Sequence, residues 1–301
     1  MTFAVYGAPP RGLADTPSDA VQLSPLVPGA EAIDAVEEGS LDQLAMLAPP
    51  GVAERRYALA LALRSLKPGA PMTVLAPKDK GGSRLKKELE AFGCVVSDMP
   101  KAHHRICTCQ RPPAVQSLDE AIAAGAPRPI EPYGLWSQPG VFSWDRLDPG
   151  TALLMQTLPS LVGKGADFGC GIGYLARAVL DAAAVTRLDL IDLDRRAVDC
   201  ARRNVEDARV ALHWADATSS AVALADLDFV VMNPPFHDGG AEDRNLGQAF
   251  IRRAAAVLRK SGVLWLVANR HLPYEGVLGE HFAAVAVRAE ASGFKVFEAR
   301  K

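Results

Sequence analysis

The sequence is poor in the features that mark several protein classes. None of its apolar runs reaches the ~18 residues that a spanning helix needs, which excludes a helical membrane protein. Its 5 cysteines, an odd number scattered over 301 residues, are too few and too dispersed for a disulfide scaffold, so reduced thiols are expected. Aromatic residues make up only 6%, and Lys and Arg do not outnumber Asp and Glu. The formal charge of −2 gives no global attraction to nucleic acid, so any such surface has to be local. The opening stretch MTFAVYGAPPRGLADTPSD has no basic segment followed by an apolar run of roughly 7–15 residues, which leaves the cytoplasm as the expected location. What is present is 49% hydrophobic and 23% charged, enough to bury real cores. The length exceeds the ~250 residues at which a single core stops growing, which favours two domains.

The first third has a β/α rhythm. An apolar helical stretch from Val52 to Leu66 leads through Lys67-Pro68-Gly69 into MTVLA, and the amphipathic SRLKKELEAF leads into CVVSD and AHHRICTC, two further candidate strands. From 112 to 135 prolines break up the text, and this segment is expected to be an extended linker. The expected organisation is therefore a smaller α/β domain over 1–111, a Pro-rich linker over 112–135 and a larger domain over 136–301. In the last, strand-like and helical segments alternate: ADFG, a helix from Tyr174, LDLID, a helix from Arg195, VALHW, DFVVMN, a helix over Gln248 to Arg259, and VLWLVAN. That pattern is a doubly wound α/β sheet. It ends differently, because AAVAVRAEA and FKVFEARK are separated only by Ser292-Gly293, too short for a helical crossover, so the last strand is expected to run antiparallel.

The chemistry-bearing residues sit where these strands end. Asp167-Phe168-Gly169-Cys170-Gly171-Ile172-Gly173 lies between a strand and a helix, where glycines let the backbone approach a ligand and a helix N-terminus offers free N–H groups. The run from Gly171 also satisfies the dinucleotide pattern G-x-G-x-x-A, so the loop does not identify its own ligand. Asp192 ends the next strand and can accept hydrogen bonds from both hydroxyls of a ribose. Asp194 reads as the N-cap of the helix from Arg195. Asp216 ends the following strand, at the position of an adenine edge. Asn233-Pro234-Pro235-Phe236 ends the fourth strand. Its prolines fix the backbone and leave carbonyl acceptors, and the Asn oxygen with a Pro-Pro carbonyl can accept both hydrogens of a planar amine or amide. Phe236 offers a stacking face for a flat substrate. The reversed last strand and the Asn-Pro-Pro run favour S-adenosylmethionine over a nicotinamide dinucleotide.

DFGCGIG, LIDLD, ADAT and NPPFH together resemble the class I S-adenosylmethionine-dependent amino methyltransferases. GVFSWDRLDPGTALL and VANRHLPYEGVL are similar, more narrowly, to the guanine-N2 methyltransferases of small-subunit ribosomal RNA. The resemblance runs from Trp136 to Lys301 and more faintly through KDKGGSRLKKELEAFG and HHRICTC. It implies that residues 1–111 are a degenerate copy of the methyltransferase fold without a cofactor loop. It also implies that Asp167, Gly169, Gly171 and Gly173 hold the methionine end of the cofactor, Asp192 the ribose and Asp216 the adenine. Asn233 to Phe236 would then hold the guanine, Phe142 and Ser143 would close over cofactor or target, and Asn269, Arg270 and Tyr274 would touch substrate.

An alkylated exocyclic amine loses its proton readily, so the enzyme's expected task is positioning and desolvation, with the target base drawn out of its helix. His237 is read as structural. The stretch from Lys78 to Arg111, with His103 and His104, is the most basic of the first third and could grip phosphates. Strand alternation would place His103, Cys107 and Cys109 on one face, a spacing that does not suit zinc, and no metal is expected. The expectation is a monomeric enzyme acting on ribosomal RNA or the small subunit, away from any membrane. The rivals are methyl transfer to another planar nitrogen (a large-subunit guanine, adenine N6 or a protein glutamine) and a non-catalytic RNA-binding assembly factor.

Overall fold

In the computed structural model, residues 2–235, 237–238, 241–242 and 244–301 are described. They divide into two compact units, unit 1 comprising Met1–Pro127 with Gln138–Gly140, and unit 2 comprising Arg128–Ser137 with Val141–Lys301.

Unit 1 contains β1 (Phe3–Tyr6), β2 (Val21–Gln22), β3 (Gln43–Leu47), α1 (Val52–Ser65), β4 (Pro71–Pro77), α2 (Leu85–Ala91), β5 (Ser97–Lys101), β6 (His104–Gln110) and α3 (Leu118–Gly125). Among the described residues its sheet has the order β2-β1-β3-β4-β6-β5. The first four strands are parallel, and β6 and β5 are antiparallel to their neighbours. Helix α1 buries every residue from Ala58 to Leu63, as a helix apolar on all sides must. The expected strand CVVSD lies three residues further along, as β5. It is an edge strand, which is why Pro100 is tolerated in it. Ala102 and His103 are not in β6 but form the turn before it, both with positive φ, so the strand alternation expected to group His103 with Cys107 and Cys109 does not apply. The Pro-rich stretch expected to be extended carries α3, because LDEAIAAG is a proline-free run of good helix formers with acidic residues in its first turn.

Unit 2 opens with the hairpin β7 (Arg128–Ile130) and β8 (Leu135–Ser137), followed by α4 (Pro149–Thr157), β9 (Gly163–Phe168), α5 (Tyr174–Leu180), β10 (Val185–Asp192), α6 (Arg195–Asn204), β11 (Val210–Trp214) and β12 (Leu227–Met232). The short β13 (His237–Asp238) and β14 (Ala241–Glu242) precede α7 (Arg244–Val257), β15 (Leu258–Asn269), α8 (Glu275–His281), β16 (Ala284–Ala291) and β17 (Phe294–Arg300). The main sheet has the order β11-β10-β9-β12-β15-β17-β16 among the described residues. It is parallel from β11 to β15, and β17 runs antiparallel to both β15 and β16. This is the doubly wound sheet with an antiparallel last strand expected from the alternation and the short final turn, the architecture that the resemblance implied. Helices on both faces explain why the central strands are continuously apolar: Val230, Val231 and Met232 of β12 are fully buried. Helix α7 stops at Val257, two residues short of the expected Arg259, because Leu258 already pairs with Leu227 of β12. Asp194 caps α6 by accepting from the Arg196 N–H at 3.0 Å, as its sequence position predicts.

Candidate active site

The parallel strands of unit 2 bring their carboxyl ends to one edge, where ligands of doubly wound sheets bind. The chain leaves β9 through Gly169 (φ 74°), leaves β10 at Asp192 and leaves β12 at Asn233. A cavity of about 270 Å³ opens there, and Phe142, Gly169, Gly171, Asp192, Asp216, Asn233, Pro234 and Pro235 line it. Leu193, Ala217, Leu246 and Phe250 supply its apolar wall. A smaller annex of about 40 Å³ is lined by Ser143, Asp148, Thr151 and Tyr174 together with Phe142, Gly169, Gly171 and Asn233.

Asp167 is fully buried on β9, and neither carboxylate oxygen has a hydrogen-bond partner among the described residues. Burial, reinforced by the charge of Asp192, pushes its carboxyl well above the usual range. Such a group is costly unless a cationic or hydrogen-bond-donating ligand completes it. Asp192 is held from two sides: its Oδ2 accepts from the Gly171 N–H and its Oδ1 from the Asp194 N–H, each at 2.8 Å. These bonds aim the carboxylate at the cavity and leave lone pairs for a diol. Burial outweighs them and pushes its pKa up to about 6. Asp216 is exposed, and its Oδ1 accepts from the Thr218 N–H and hydroxyl, which closes the turn and steadies the carboxylate at the cavity rim.

The Asn233 amide is fixed by residues that the sequence reading did not single out. Its Nδ2 donates to Asp148 Oδ2 at 3.0 Å and to Thr151 Oγ1 at 2.9 Å. A carboxylate only accepts, so the amide orientation is forced and its oxygen is left for another donor. Asp148 is also the N-cap of α4, accepting from the Thr151 N–H at 2.8 Å, with Pro149 in the first turn. The capping pattern Asp-Pro-Gly-Thr before an apolar run was readable; its second use in holding Asn233 was not, because the partners are 85 residues apart.

Of the remaining expected site residues, Phe142 is 58% exposed at the mouth of the cavity, and Ser143 beside it has a positive φ of 48°. Gly173 does not line either cavity. It caps α5 with a φ of 94°, and a Cβ there would meet Val205 at 2.7 Å, so its need for glycine comes from packing. Asn269 lies at the carboxyl end of β15, on the same edge, and Arg270 is exposed; neither lines the cavity. Tyr274 departs from expectation: its side chain is fully buried in the core beneath α7 and α8, with its hydroxyl close against Gly247, because an aromatic ring entering a helix seals the core. Phe236 lies outside the described residues, as does the side chain of His237.

A pocket lined by Asp192 and Asp216, with Asp148 in its annex and Asp167 buried on the adjoining strand, suits a cation, and an oriented amide at its edge suits a planar nitrogen. Fold and pocket together define a class I methyltransferase, the class whose methyl donor is S-adenosylmethionine. The family model described as "Methyltransferase small domain" matches residues 132–298, and the chain belongs to that family. Among its curated relatives, the ribosomal RNA small subunit methyltransferase C of Shewanella halifaxensis is 31% identical over 262 residues, covering 86% of this chain and 77% of that protein. The protein of the same name from Hahella chejuensis is 32% identical, covering 86% and 77%. Among solved structures, the T. thermophilus 16S rRNA N2 G1207 methyltransferase in complex with AdoMet and guanosine matches with a TM-score of 0.79 and 25% identity, covering 100% of this chain and 88% of that one.

Proposed function

We propose that this chain methylates the exocyclic N2 of a guanine in small-subunit ribosomal RNA, with S-adenosylmethionine as donor. The observation that carries the reading is the Asn233 amide, pinned by Asp148 and Thr151 so that its oxygen is left to accept from an amine at the edge of a pocket built for a cation. The names of the curated relatives and of the solved structure support the same substrate.

The residues present fit the donor. Asp167, with two unpartnered oxygens, suits its ammonium; Gly169 and Gly171 let the backbone come close; Asp192 suits the ribose hydroxyls; and Asp216 with Leu193 and Ala217 suits the adenine. When bound, the donor supplies an electrophilic methyl on a sulfonium. The chain's part is placement: the Asn233 oxygen and a Pro-Pro carbonyl accept the two hydrogens of the target amine, so its lone pair points away from them. Phe142, at the mouth, covers the pocket against water, and Phe236 is assigned the stacking face for the base. No strongly basic residue is required, since the alkylated amine gives up its proton to solvent or to a neighbouring acceptor. Asn269 and Arg270 are assigned to substrate at the same edge, outside the cavity. The chain acts as a monomer in the cytoplasm.

The test is a transfer assay with methyl-labelled S-adenosylmethionine on purified small subunits, large subunits and a release-factor protein, followed by nucleoside and amino-acid analysis. Label in N2-methylguanosine from the small subunit supports the proposal. Label in another nucleoside or in glutamine moves the function to another planar nitrogen, and absence of label despite cofactor binding leaves an assembly factor.

A further inference from the structure

S-adenosylmethionine brings more than a cation to this pocket. Its methionine end also carries a carboxylate, which the pocket's own acids repel. Among the described residues that line the cavity and its annex there is no lysine, arginine or histidine. The glycine loop offers little in their place, because most of its N–H groups are spent inside the chain. Gly169 and Cys170 donate to the Ile191 carbonyl at 2.9 and 3.1 Å, Gly171 to Asp192 Oδ2 at 2.8 Å, and Gly173 to the Cys170 carbonyl at 3.0 Å. Side-chain donors are committed in the same way. The Asn233 amide donates to Asp148 and to Thr151, and the Cys170 thiol donates to the Gly171 carbonyl at 3.7 Å. That leaves two hydroxyls on the annex wall, those of Ser143 and Tyr174. Ser143 is half-buried, whereas the Tyr174 hydroxyl is buried and has no hydrogen-bond partner among the described residues.

The position of this phenol is fixed from outside the pocket. Tyr174 is the first residue of α5, and its ring meets that of Tyr133, in the turn of the β7–β8 hairpin, edge to face with centroids 5.7 Å apart. With Trp136 and Trp144 it packs on a small core that includes Ile130, Leu135, Val141 and Ile172. Asn204, at the end of α6, fastens the hairpin to the glycine loop. Its Nδ2 donates to the Trp136 and Ile172 carbonyls at 2.8 and 2.9 Å, and its Oδ1 accepts from the Trp136 N–H at 2.7 Å. A tyrosine hydroxyl so buried ordinarily finds a partner, because leaving it dry and unpaired is costly. Burial, with Tyr133 alongside, pushes its pKa up to about 12, so at neutral pH it is a neutral donor. A neutral O–H beside acids suits an anion that no cation of the pocket can meet, and a hydrogen bond to a charged oxygen is among the stronger ones.

We propose that the Tyr174 hydroxyl donates to the carboxylate at the methionine end of the donor, so that the site selects a sulfonium nucleoside carrying an intact amino acid. The inference rests on S-adenosylmethionine being the donor and is independent of the base that receives the methyl group. It is tested by calorimetric titration of the full chain, without RNA, using S-adenosylmethionine and decarboxylated S-adenosylmethionine. The second compound keeps the sulfonium and the ammonium and lacks only the carboxylate. Tyr174→Phe is expected to weaken S-adenosylmethionine by about 10- to 100-fold and to leave the decarboxylated compound unchanged. Asp192→Ala, by contrast, should weaken both to the same extent, since both carry the ribose. The phenylalanine ring keeps the contact with Tyr133 and strands no polar atom, so the melting temperature of the free chain should not fall. Equal weakening of both compounds by Tyr174→Phe would make the residue a packing element only, and no weakening of either would remove it from the site; each result overturns the proposal. A wild-type chain that binds neither compound overturns the donor and the proposal together. The expected discrimination in a chain that forms no N2-methylguanosine leaves Tyr174 in its role and overturns only the proposed reaction.

Discussion

Unit 1 and unit 2 place a left-handed glycine (Gly7, Gly169), a pair of prolines (Pro49-Pro50, Pro234-Pro235) and the end of a buried strand at matching points of one topology, and differ in the side chains around them. In unit 1 the polar groups at these points are satisfied within the chain. Gln22 Oε1 accepts from the N–H groups of Gly7, Leu23 and Ser24, and Arg55 is saturated by the Pro49 and Pro50 carbonyls and the Glu88 carboxylate. Val5, preceding Tyr6, stands where Asp167 precedes Phe168. In unit 2 the equivalent edge keeps a buried carboxylate with no partner among the described residues and an amide with one end committed. Buried polar atoms are normally paired, so an unpaired carboxylate on the strand that ends at the cavity calls for a ligand to complete it. Fold is shared; incompleteness is confined to the unit that works.

The comparison can be broken most visibly at Arg55. Arg55→Ala leaves Glu88 and two carbonyls unpaired and is expected to lower the stability of unit 1 by about 3–5 kcal/mol in urea unfolding, with cofactor affinity unchanged. The paired change Arg55→Met with Glu88→Leu should recover most of that loss, since no charge is then stranded. In unit 2, Asp192→Ala should weaken cofactor binding by about 1.5–3 kcal/mol, measured calorimetrically; an unchanged affinity would remove the ribose assignment. Asp148→Asn keeps both a good helix cap and an acceptor for Asn233 but loses the charge. It should lower kcat by about fivefold, roughly 1 kcal/mol, without changing cofactor affinity.

The mildest expected effect concerns pH. With its pKa raised to about 6, Asp192 favours the folded chain when protonated, and that contribution is lost as pH rises through about 6. Accepting hydrogen bonds from a diol requires the opposite form. Cofactor affinity should therefore be flat above pH 7 and decline below about pH 6, by at most tenfold per unit for a single proton. Affinity independent of pH down to 5 would show that the anion is not what binds.

Much of unit 2 was legible because its strands end in residues that a strand does not need. Asp167, Asp192, Asp216 and Asn233 interrupt apolar runs at regular intervals, and all but the buried Asp167 line one cavity. Gly173, placed in the site by the glycine pattern, and Tyr274, placed there by resemblance, line neither cavity, and their surroundings are packing contacts. Leu193, Ala217, Leu246 and Phe250 carry no local signal, since an apolar residue facing a ligand looks like one facing the core. Unit 1 was harder to read. β1, β2 and β3 are only 4, 2 and 5 residues long, and their loops hold prolines that suggest irregular structure. With Leu47 in place of Asn233 and Val5 in place of Asp167, its kinship to unit 2 shows in register, strand order, one glycine and a pair of prolines and not in the residues that carry chemistry.

The most direct test of the account is nucleoside analysis of small subunits incubated with labelled S-adenosylmethionine and either the wild-type chain or Asn233→Ala, with cofactor affinity measured for both. Wild type should form N2-methylguanosine. The variant should lose about 100- to 1,000-fold in rate while binding the cofactor nearly as well, as expected for a group that acts on the transferring amine. Undiminished transfer by Asn233→Ala, or a loss explained by failed cofactor binding, would contradict the role on which the account rests.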